Sequence, residues 1–139
     1  MAVEREAKMQ VKDHEQIRAR LRELEAVRVG RVLESNTFFD SDDRRLLAGG
    51  QGLRIRRERS LDGDKAQRAK LTFKGPRQPG VLKTREEIEI GISDADAMEQ
   101  VIEKLGLALV LRFEKRRETW TLDGCEVVLD ELPRLGLFV

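Results

Sequence analysis

The chain has 139 residues, of which 40% are hydrophobic and 38% are charged, and 27 Lys and Arg nearly balance 26 Asp and Glu to give a formal net charge of +1. This balance argues against a general nucleic-acid-binding protein, which should be clearly basic, and we find neither a long apolar run nor a signal peptide. The length fits one domain with a modest core, and the single Cys125, which cannot form an internal disulfide, indicates a reducing cytoplasm.

The first predicted strand runs from Val3 to Val11, and its charged residues alternate with smaller or apolar ones. Side chains two apart share a face of a strand, so Glu4, Glu6 and Lys8 should line one side. A charged strand face is usually solvated. Because the same pattern returns in later strands, we interpret these faces as one charged interior.

The remaining elements follow from periodicity, caps and turn residues. A helix is predicted over residues 14–27, with Asp13 as its cap and Gly30 as its end, and a second helix between a Ser93 cap and Gly106. The sequence Asp123-Gly124 predicts a hairpin turn. The predicted strands after the first are 31–40, 53–57, 70–74, 85–90, 113–122, 125–130 and one that begins at 137.

Hairpin-like spacing favours antiparallel pairing, so the predicted fold class is α+β with one large antiparallel sheet. Periodicity leaves open whether this sheet closes into a barrel, and the charges favour closure. Like charges cluster within single strands, whereas a surface built for stability would intersperse the signs. The clustered pairs are Arg54 with Arg56, Lys70 with Lys74, Glu87 with Glu89, and Lys115 with Arg117.

Such clusters suit a polyanion together with its counter-cations. Arg and Lys bind phosphate, and carboxylates bind Mg²⁺ or Mn²⁺, which keep several waters and substrate phosphates among their ligands. A cavity that carries both kinds of residue could bind a metal–triphosphate complex. On the pattern alone, solvated strand faces are an equally good interpretation.

Several motifs also resemble a known family. The sequence Glu4-x-Glu6-x-Lys8 resembles the ExExK signature of the CYTH superfamily, the triphosphate tunnel metalloenzymes. Five later blocks are similar to family blocks in the family order, and the Lys-Gly-Pro and Leu-Asp-Glu-Leu segments look most like the bacterial class IV adenylate cyclase-like branch. The five blocks are 38–40 with the following Asp-Arg-Arg-Leu-Leu, 53–56, 71–76, 113–117 and 127–130.

The resemblance implies an eight-stranded antiparallel β-barrel, a tunnel with charged walls and flanking helices, that uses Mg²⁺ or Mn²⁺. It implies Glu4, Glu6 and Lys8 as catalytic residues. The implied metal-side acids are Glu4, Glu6, Glu87, Glu89 and Asp130. The implied triphosphate ligands are Lys8, Arg54, Arg56, Lys74, Lys115 and Arg117. Alternation alone adds Lys70 and Arg85 to these substrate ligands.

The resemblance also bears on the end of the chain. Family members continue after a segment like residues 137–139 with a further Glu-x-Glu pair that helps to hold metal. We therefore expect a single CYTH-like domain over residues 1–139 that lacks its C-terminal end.

Three functions remain open. The first is a metal-dependent hydrolase of inorganic triphosphate, thiamine triphosphate or another organic triphosphate. The second is a class IV adenylate cyclase that forms cyclic AMP and pyrophosphate from ATP, and the third is a polyphosphate- or nucleotide-binding module without turnover. The expected partner is a small triphosphate, with no nucleic acid and no membrane, in the cytoplasm, and homodimer formation is left open.

A few residues have a simpler expected role. We predict Phe39 and Trp120 in the core, Cys125 as a small packed thiol, and no catalytic role for His14. The chain has no Tyr and only 4% aromatic residues, so no platform for a base is evident. This favours a substrate that is recognised through its phosphates.

Overall fold

A computed structural model of the chain describes residues 2–80 and 82–139, with the backbone alone for Lys83. Within these residues it contains nine strands in one sheet and three helices, so the predicted α+β class is confirmed. The helices are α1 His14–Glu23, α2 Arg45–Ala48 and α3 Ala95–Lys104. The strands are β1 Ala2–Glu6, β2 Gln10–Val11, β3 Val27–Asp40, β4 Gly52–Ser60, β5 Gln67–Lys74, β6 Lys83–Gly91, β7 Ala108–Leu122, β8 Cys125–Leu132 and β9 Gly136–Phe138.

The sheet is antiparallel wherever its register is defined. The strand order is β1-β6-β5-β4-β3-β7-β8-β9-β2, and the β1–β6, β5–β6, β7–β8, β8–β9 and β2–β9 pairs are all antiparallel. The predicted hairpin turn joins β7 to β8, with Asp123 at φ 50° and Gly124 at φ 77°. Two consecutive positive φ values are those of a type I′ turn, whose twist matches that of the flanking strands.

The prediction of eight strands was wrong by one, and the difference lies at the start of the chain. The predicted strand from Val3 to Val11 is divided into β1 and β2. The first pairs with β6 and the second pairs with β9, so the change of partner ends one ladder before the next begins. The alternation that places Glu4 and Glu6 on one face therefore does not extend to Lys8.

The ends of the helices also differ from the predictions. The first helix ends at Glu23 and not near residue 27, because Glu25 takes a left-handed conformation with φ 58° and the β-branched Val27 already begins β3. The cap of α3 is Asp94 and not Ser93, since the Asp94 side chain accepts a hydrogen bond of 3.0 Å from the Ala97 N–H.

The described chain forms two compact units, each with its own core. The first comprises residues 2–7, 35–58 and 67–113, and its core contains Phe39, Ile55 and Ile102 of α3. The second comprises residues 8–34, 59–66 and 114–139, and its core contains Leu21 and Trp120, together with Leu129. The predicted core positions of Phe39 and Trp120 are thus confirmed.

Two further residues were assigned from the sequence. The predicted packing of Cys125 was wrong, because this thiol is exposed at the start of β8. His14 is buried, and its Nε2–H donates a hydrogen bond of 2.9 Å to the Phe138 carbonyl. Among the helices of the described chain, none has the length and apolar character to cross a membrane.

Candidate functional site

A lysine lies between two carboxylates in the first unit. Lys74 Nζ donates a hydrogen bond of 2.8 Å to Glu4 Oε1 and lies 3.5 Å from Glu87 Oε2. The strand order explains both contacts. Lys74 on β5 lies directly opposite Glu87 on β6, and Glu4 lies on β1, which pairs with the other edge of β6. All three side chains are half-buried. We call Glu4, Lys74 and Glu87 the acid–lysine cluster.

The two carboxyl groups of this cluster have opposite pKa shifts. Contact with Glu4, together with burial, raises the pKa of Glu87 to about 7. Burial opposes ionisation of Glu4, but its hydrogen bonds with Glu87 and Lys74 prevail and lower its pKa to about 2. Between these values, the two carboxyl groups share one proton.

This shared proton predicts a pH-dependent stability for the ligand-free protein. The pKa of Glu87 lies near 4.5 ordinarily and at about 7 when folded, so the folded state binds more protons between these values. The free energy of unfolding should therefore fall as pH rises through this window. Glu87→Gln removes the ionisation and should stabilise the protein relative to wild type at pH 8 but not near pH 4.5.

Thermal unfolding of both proteins across this pH range would measure the difference. Glu86→Gln is the matched control, because alternation places Glu86 on the other face of β6. A stability difference between wild type and Glu87→Gln that stays constant from pH 4.5 to pH 8 would contradict the shared proton.

A second set of contacts continues across β4, β5 and β6. Thr72 Oγ1 donates a hydrogen bond of 3.1 Å to Glu89 Oε2 and accepts one of 3.3 Å from Arg54 Nη2. Lys70 Nζ lies 3.7 Å from Glu89 Oε1 and 3.8 Å from Glu58 Oε1. The structure thus brings together the predicted residues Arg54, Lys70 and Glu89. The buried Thr72 links Arg54 to Glu89. Glu89 in turn contacts Lys70.

Arg56 and Arg57 point to opposite faces of β4. Arg56 Nε donates a hydrogen bond of 2.8 Å to the buried Asn36 Oδ1. Arg57 Nη2 instead donates to Asp96 at 2.8 Å and Glu99 at 3.0 Å, both on α3. The alternation predicted for this strand is confirmed. Asn36 was not predicted, although it is two residues before Phe38 in a predicted strand.

Two phenylalanines form an aromatic pair that the sequence reasoning missed. Phe38 and Phe113 are stacked, with ring centroids 5.9 Å apart and an interplanar angle of 14°. Both are half-buried. Phe38 lies on the same face of β3 as Asn36, whereas Phe39 faces the core. With Phe39 assigned to the core, alternation alone could have placed Phe38 on the charged face.

Arg85 has two backbone acceptors. Its Nε donates a hydrogen bond of 2.9 Å to the Gly75 carbonyl, and its Nη2 donates one of 3.1 Å to the Gly50 carbonyl. In the structure, the guanidinium thus joins two loops of the first unit.

The second unit contains a buried cluster of two acids and two bases. Arg117 Nε and Nη2 donate hydrogen bonds of 2.7 and 2.8 Å to Asp130 Oδ1 and Oδ2, and Lys115 Nζ donates one of 3.2 Å to Oδ2. The same cations lie 3.7 and 3.8 Å from the carboxylate of Glu34, which was not predicted. Burial opposes ionisation of Asp130, but Arg117 and Lys115 lower its pKa below the usual value.

Glu6 and Lys8 are the other two residues of the ExExK motif. Glu6 is exposed at the end of β1. Lys8 belongs to the second unit, where its Nζ lies 5.2 Å from the centroid of the Phe138 ring, a cation–π contact.

The acid–lysine cluster suits a divalent cation by its donor set. In the described part of the chain, no group of three or more Asp, Glu, His or Cys side chains is arranged to hold a metal ion. Magnesium, however, is commonly bound by one or two carboxylates together with substrate phosphates and water. Glu4 and Glu87 supply two such carboxylates, and the buried Glu87 Oε2 receives no hydrogen bond from the described residues. Because a cation would relieve the repulsion within this pair, the residues fit the ion.

The chain is similar to several known proteins. A protein from Methanocaldococcus jannaschii named "Putative adenylate cyclase" is 32% identical over 137 residues, which are 99% of this chain and 74% of the relative. The solved structure of the PH1819 protein from Pyrococcus horikoshii OT3 is 28% identical with a TM-score of 0.79, over 94% of this chain and 73% of that one.

A third comparison supports the fold alone. HpAC1 from Hippeastrum, described as a "Putative adenylyl cyclase" with a dominant triphosphatase activity, is 18% identical with a TM-score of 0.68, over 99% of this chain and 76% of that one.

The family model for the CYTH domain matches residues 2–139. This match covers nearly the whole sequence, and the relative from Methanocaldococcus jannaschii is similar over 99% of the chain. The chain therefore belongs to the CYTH domain family.

Proposed function

We propose that this protein is a divalent-metal-dependent triphosphatase. The observation that carries the proposal is the acid–lysine cluster, in which Lys74 lies beside the paired carboxyl groups of Glu4 and Glu87. A lysine suits phosphate oxygens, and the carboxyl pair suits the metal ion that accompanies a triphosphate. HpAC1 is described as a putative adenylyl cyclase with a dominant triphosphatase activity, so likeness to putative adenylate cyclases does not exclude hydrolysis.

The cations of the first unit are held in place before a ligand binds. Asn36 accepts a hydrogen bond from Arg56, and Thr72 accepts one from Arg54. In our proposal both guanidinium groups bind phosphate oxygens, together with Lys70 and Lys74. Groups fixed in advance lose little conformational freedom when the ligand arrives, which favours both binding and alignment.

In the second unit, considered by itself, the phosphate ligands that the family resemblance implies are Lys8, Lys115 and Arg117. Asp130 was predicted as a metal ligand, but both of its oxygens accept hydrogen bonds from cations. We therefore assign it the task of orienting Lys115 and Arg117, with Glu34 as a second carboxylate beside them.

The metal would be Mg²⁺ or Mn²⁺, held by Glu4 and Glu87, with Glu6 and Glu89 as further proposed ligands. When bound, such an ion polarises phosphoryl oxygens and neutralises developing charge. The residues of the chain bind the triphosphate and align its terminal phosphorus for attack by water. The water oxygen bonds to that phosphorus, the bond between the phosphorus and its bridging oxygen breaks, and the diphosphate part of the substrate is the leaving group. The products are orthophosphate and pyrophosphate, or orthophosphate and an organic diphosphate, and they take up the charge and protons of the water.

The aromatic pair favours one alternative, an adenylate cyclase. In that reaction the ribose 3′-hydroxyl of ATP attacks the α-phosphorus and pyrophosphate leaves. Phe38 and Phe113 offer partly exposed rings on the strand face that also carries Asn36, the partner of Arg56. Bases stack on such rings, so this pair suits an organic triphosphate better than an inorganic one.

One incubation series separates the candidate functions. The protein would be given inorganic triphosphate, thiamine triphosphate or ATP with Mg²⁺ or Mn²⁺, and phosphate, pyrophosphate and cyclic AMP would be detected separately. Phosphate release supports the triphosphatase, whereas cyclic AMP with pyrophosphate supports the cyclase. Binding without any product favours a non-catalytic module, and the absence of both binding and product contradicts all three.

Neighbouring arginines provide a test of the cationic face. Arg54→Ala and Arg56→Ala should each weaken triphosphate binding by ~1.5–3 kcal/mol, the range for hydrogen bonds to charged groups. Arg57→Ala is the matched control, because its guanidinium contacts α3 on the opposite face. Calorimetric titration would measure the affinities, and equal losses at positions 56 and 57 would contradict the assignment.

A further inference from the structure

Arg85 connects two backbone segments, one of which directly follows Lys74 of the acid–lysine cluster. Its acceptors are the carbonyl of Gly75, at 2.9 Å, and the carbonyl of Gly50, at 3.1 Å. Gly75 directly follows Lys74 at the end of β5, and Gly50 lies in the turn between α2 and β4. One planar guanidinium group thus fixes the chain just beyond the lysine.

Close packing leaves little freedom at either segment. A Cβ on Gly75 would lie 3.2 Å from the Glu86 Cβ, and the Gly75 N–H donates a hydrogen bond of 2.9 Å to the Glu86 carbonyl. Gly50 has φ +70°, and a Cβ there would lie 3.6 Å from Pro76. Pro76 follows Gly75 and lies within van der Waals reach of a side chain added at Gly50, so the two loops are neighbours, and Arg85 bonds to both.

The Gly50 segment is itself anchored. The buried carboxylate of Asp40 accepts hydrogen bonds from the Leu46 and Leu47 N–H groups at 2.9 and 3.0 Å, which hold the start of α2. The Gly50 N–H then donates to the Leu47 carbonyl at 3.0 Å. The Gly50 carbonyl is thus a fixed acceptor. Because Arg85 bonds to this carbonyl and to that of Gly75, it holds the residue after Lys74 in a fixed position relative to Gly50.

We propose that Arg85 is a positioning residue that acts through Lys74 and does not itself bind the triphosphate, an inference that rests on the proposed function. Lys74 has a long flexible side chain, so the position of its ammonium depends on a fixed backbone. Arg85 supplies this by its two hydrogen bonds, and small displacements of a binding group have large effects on ligand alignment.

A double-mutant cycle tests this inference. Affinity for inorganic triphosphate with Mg²⁺ would be measured by calorimetry for wild type, Arg85→Ala, Lys74→Ala and the double variant. We expect each single variant to bind roughly tenfold or more weakly, the loss of a hydrogen bond to a charged group. Because Arg85 acts through Lys74, the double variant should bind no more weakly than Lys74→Ala alone.

A second variant moves the loop without removing a charge. Gly75→Ala places a Cβ against Glu86 and should shift the backbone after Lys74. We expect it to weaken binding as Arg85→Ala does, and again to add nothing when Lys74 is already alanine. Arg5→Ala is the control for the loss of one positive charge, since Arg5 is exposed on the other face of β1 from Glu4.

Each outcome decides the question. The positioning role would be overturned if the losses in the cycle are additive. It would also be overturned if either Arg85→Ala or Lys74→Ala binds the triphosphate as tightly as wild type. If Arg85→Ala does not fold, Arg85→Lys, which keeps the charge but cannot make both hydrogen bonds of the guanidinium, takes its place in the cycle with the same expected result. Failure of wild type to bind any triphosphate overturns the proposed function itself, whereas binding by wild type with additive losses overturns the positioning role alone.

Discussion

Changing Glu4 and Glu6 together to glutamine is expected to abolish turnover of the triphosphate while the protein still folds. Loss of even a supporting partner of a metal ligand costs about 10–100-fold in affinity or activity, so loss of the ligands themselves should cost roughly 100-fold or more. Glu6 is exposed, whereas Glu4 contacts both Lys74 and Glu87. Most of the loss should therefore appear in Glu4→Gln alone.

Stability separates this role from a structural one. At pH 8, above the Glu87 pKa of about 7, both carboxyl groups of wild type are ionised, so glutamine at position 4 relieves their repulsion while its oxygen can still accept a hydrogen bond from Lys74. Thermal stability of the ligand-free double variant should thus hold or rise, as measured by a melting curve beside a phosphate-release assay. Retained activity with Mg²⁺ would refute the metal assignment, and an unfolded variant would mean that these carboxylates are structural ion-pair partners.

Replacing Asp130 with asparagine should destabilise the protein by about 3–5 kcal/mol, the usual cost of breaking a buried ion pair by removing one partner. Asp130 is 2% exposed, and both of its oxygens accept hydrogen bonds from Lys115 or Arg117. The substitution leaves two cations beside the single carboxylate of Glu34. Urea unfolding of the ligand-free protein would measure the change.

A matched pair of variants completes this test. Glu126→Gln alters an exposed acid on the same strand and should change the free energy of unfolding by less than ~0.5 kcal/mol. Adding Lys115→Met to Asp130→Asn should recover part of the lost stability, because it removes a buried charge that has lost its main partner. An Asp130→Asn variant as stable as wild type would show that the cluster contributes no net stability.

Strand alternation predicted the faces of the charged residues well. It separated Arg56 from Arg57, and the structure gives the first an asparagine partner and the second two acids on α3. It also placed Phe39 and Trp120 in the cores. Alternation succeeds at Phe39 and Trp120 because the strand faces that carry them pack in the two cores, which penalises a register shift of one residue.

The partners of those residues could not be predicted in the same way. Whether the Arg85 side chain contacts a ligand or two backbone carbonyls depends on the paths of the loops near residues 50 and 75. Such loops leave no periodic pattern in the sequence. Lys74 meets Glu4 and Glu87 because β6 lies between β1 and β5, and this order is set by segments far apart in the chain. The break after Glu6 likewise follows from a change of pairing partner.

The contacts between cations and carboxylates also bear on which anions can bind. Lys74, Lys70, Lys115 and Arg117 each lie within 4 Å of an acidic side chain of their own unit. An anion that binds to these cations must therefore compete with the carboxylates that already contact them. A monovalent anion such as chloride gains little by replacing one carboxylate. A ligand with several adjacent negative charges can replace several of these contacts at once. The protein should therefore discriminate among anions by valence before it discriminates by shape.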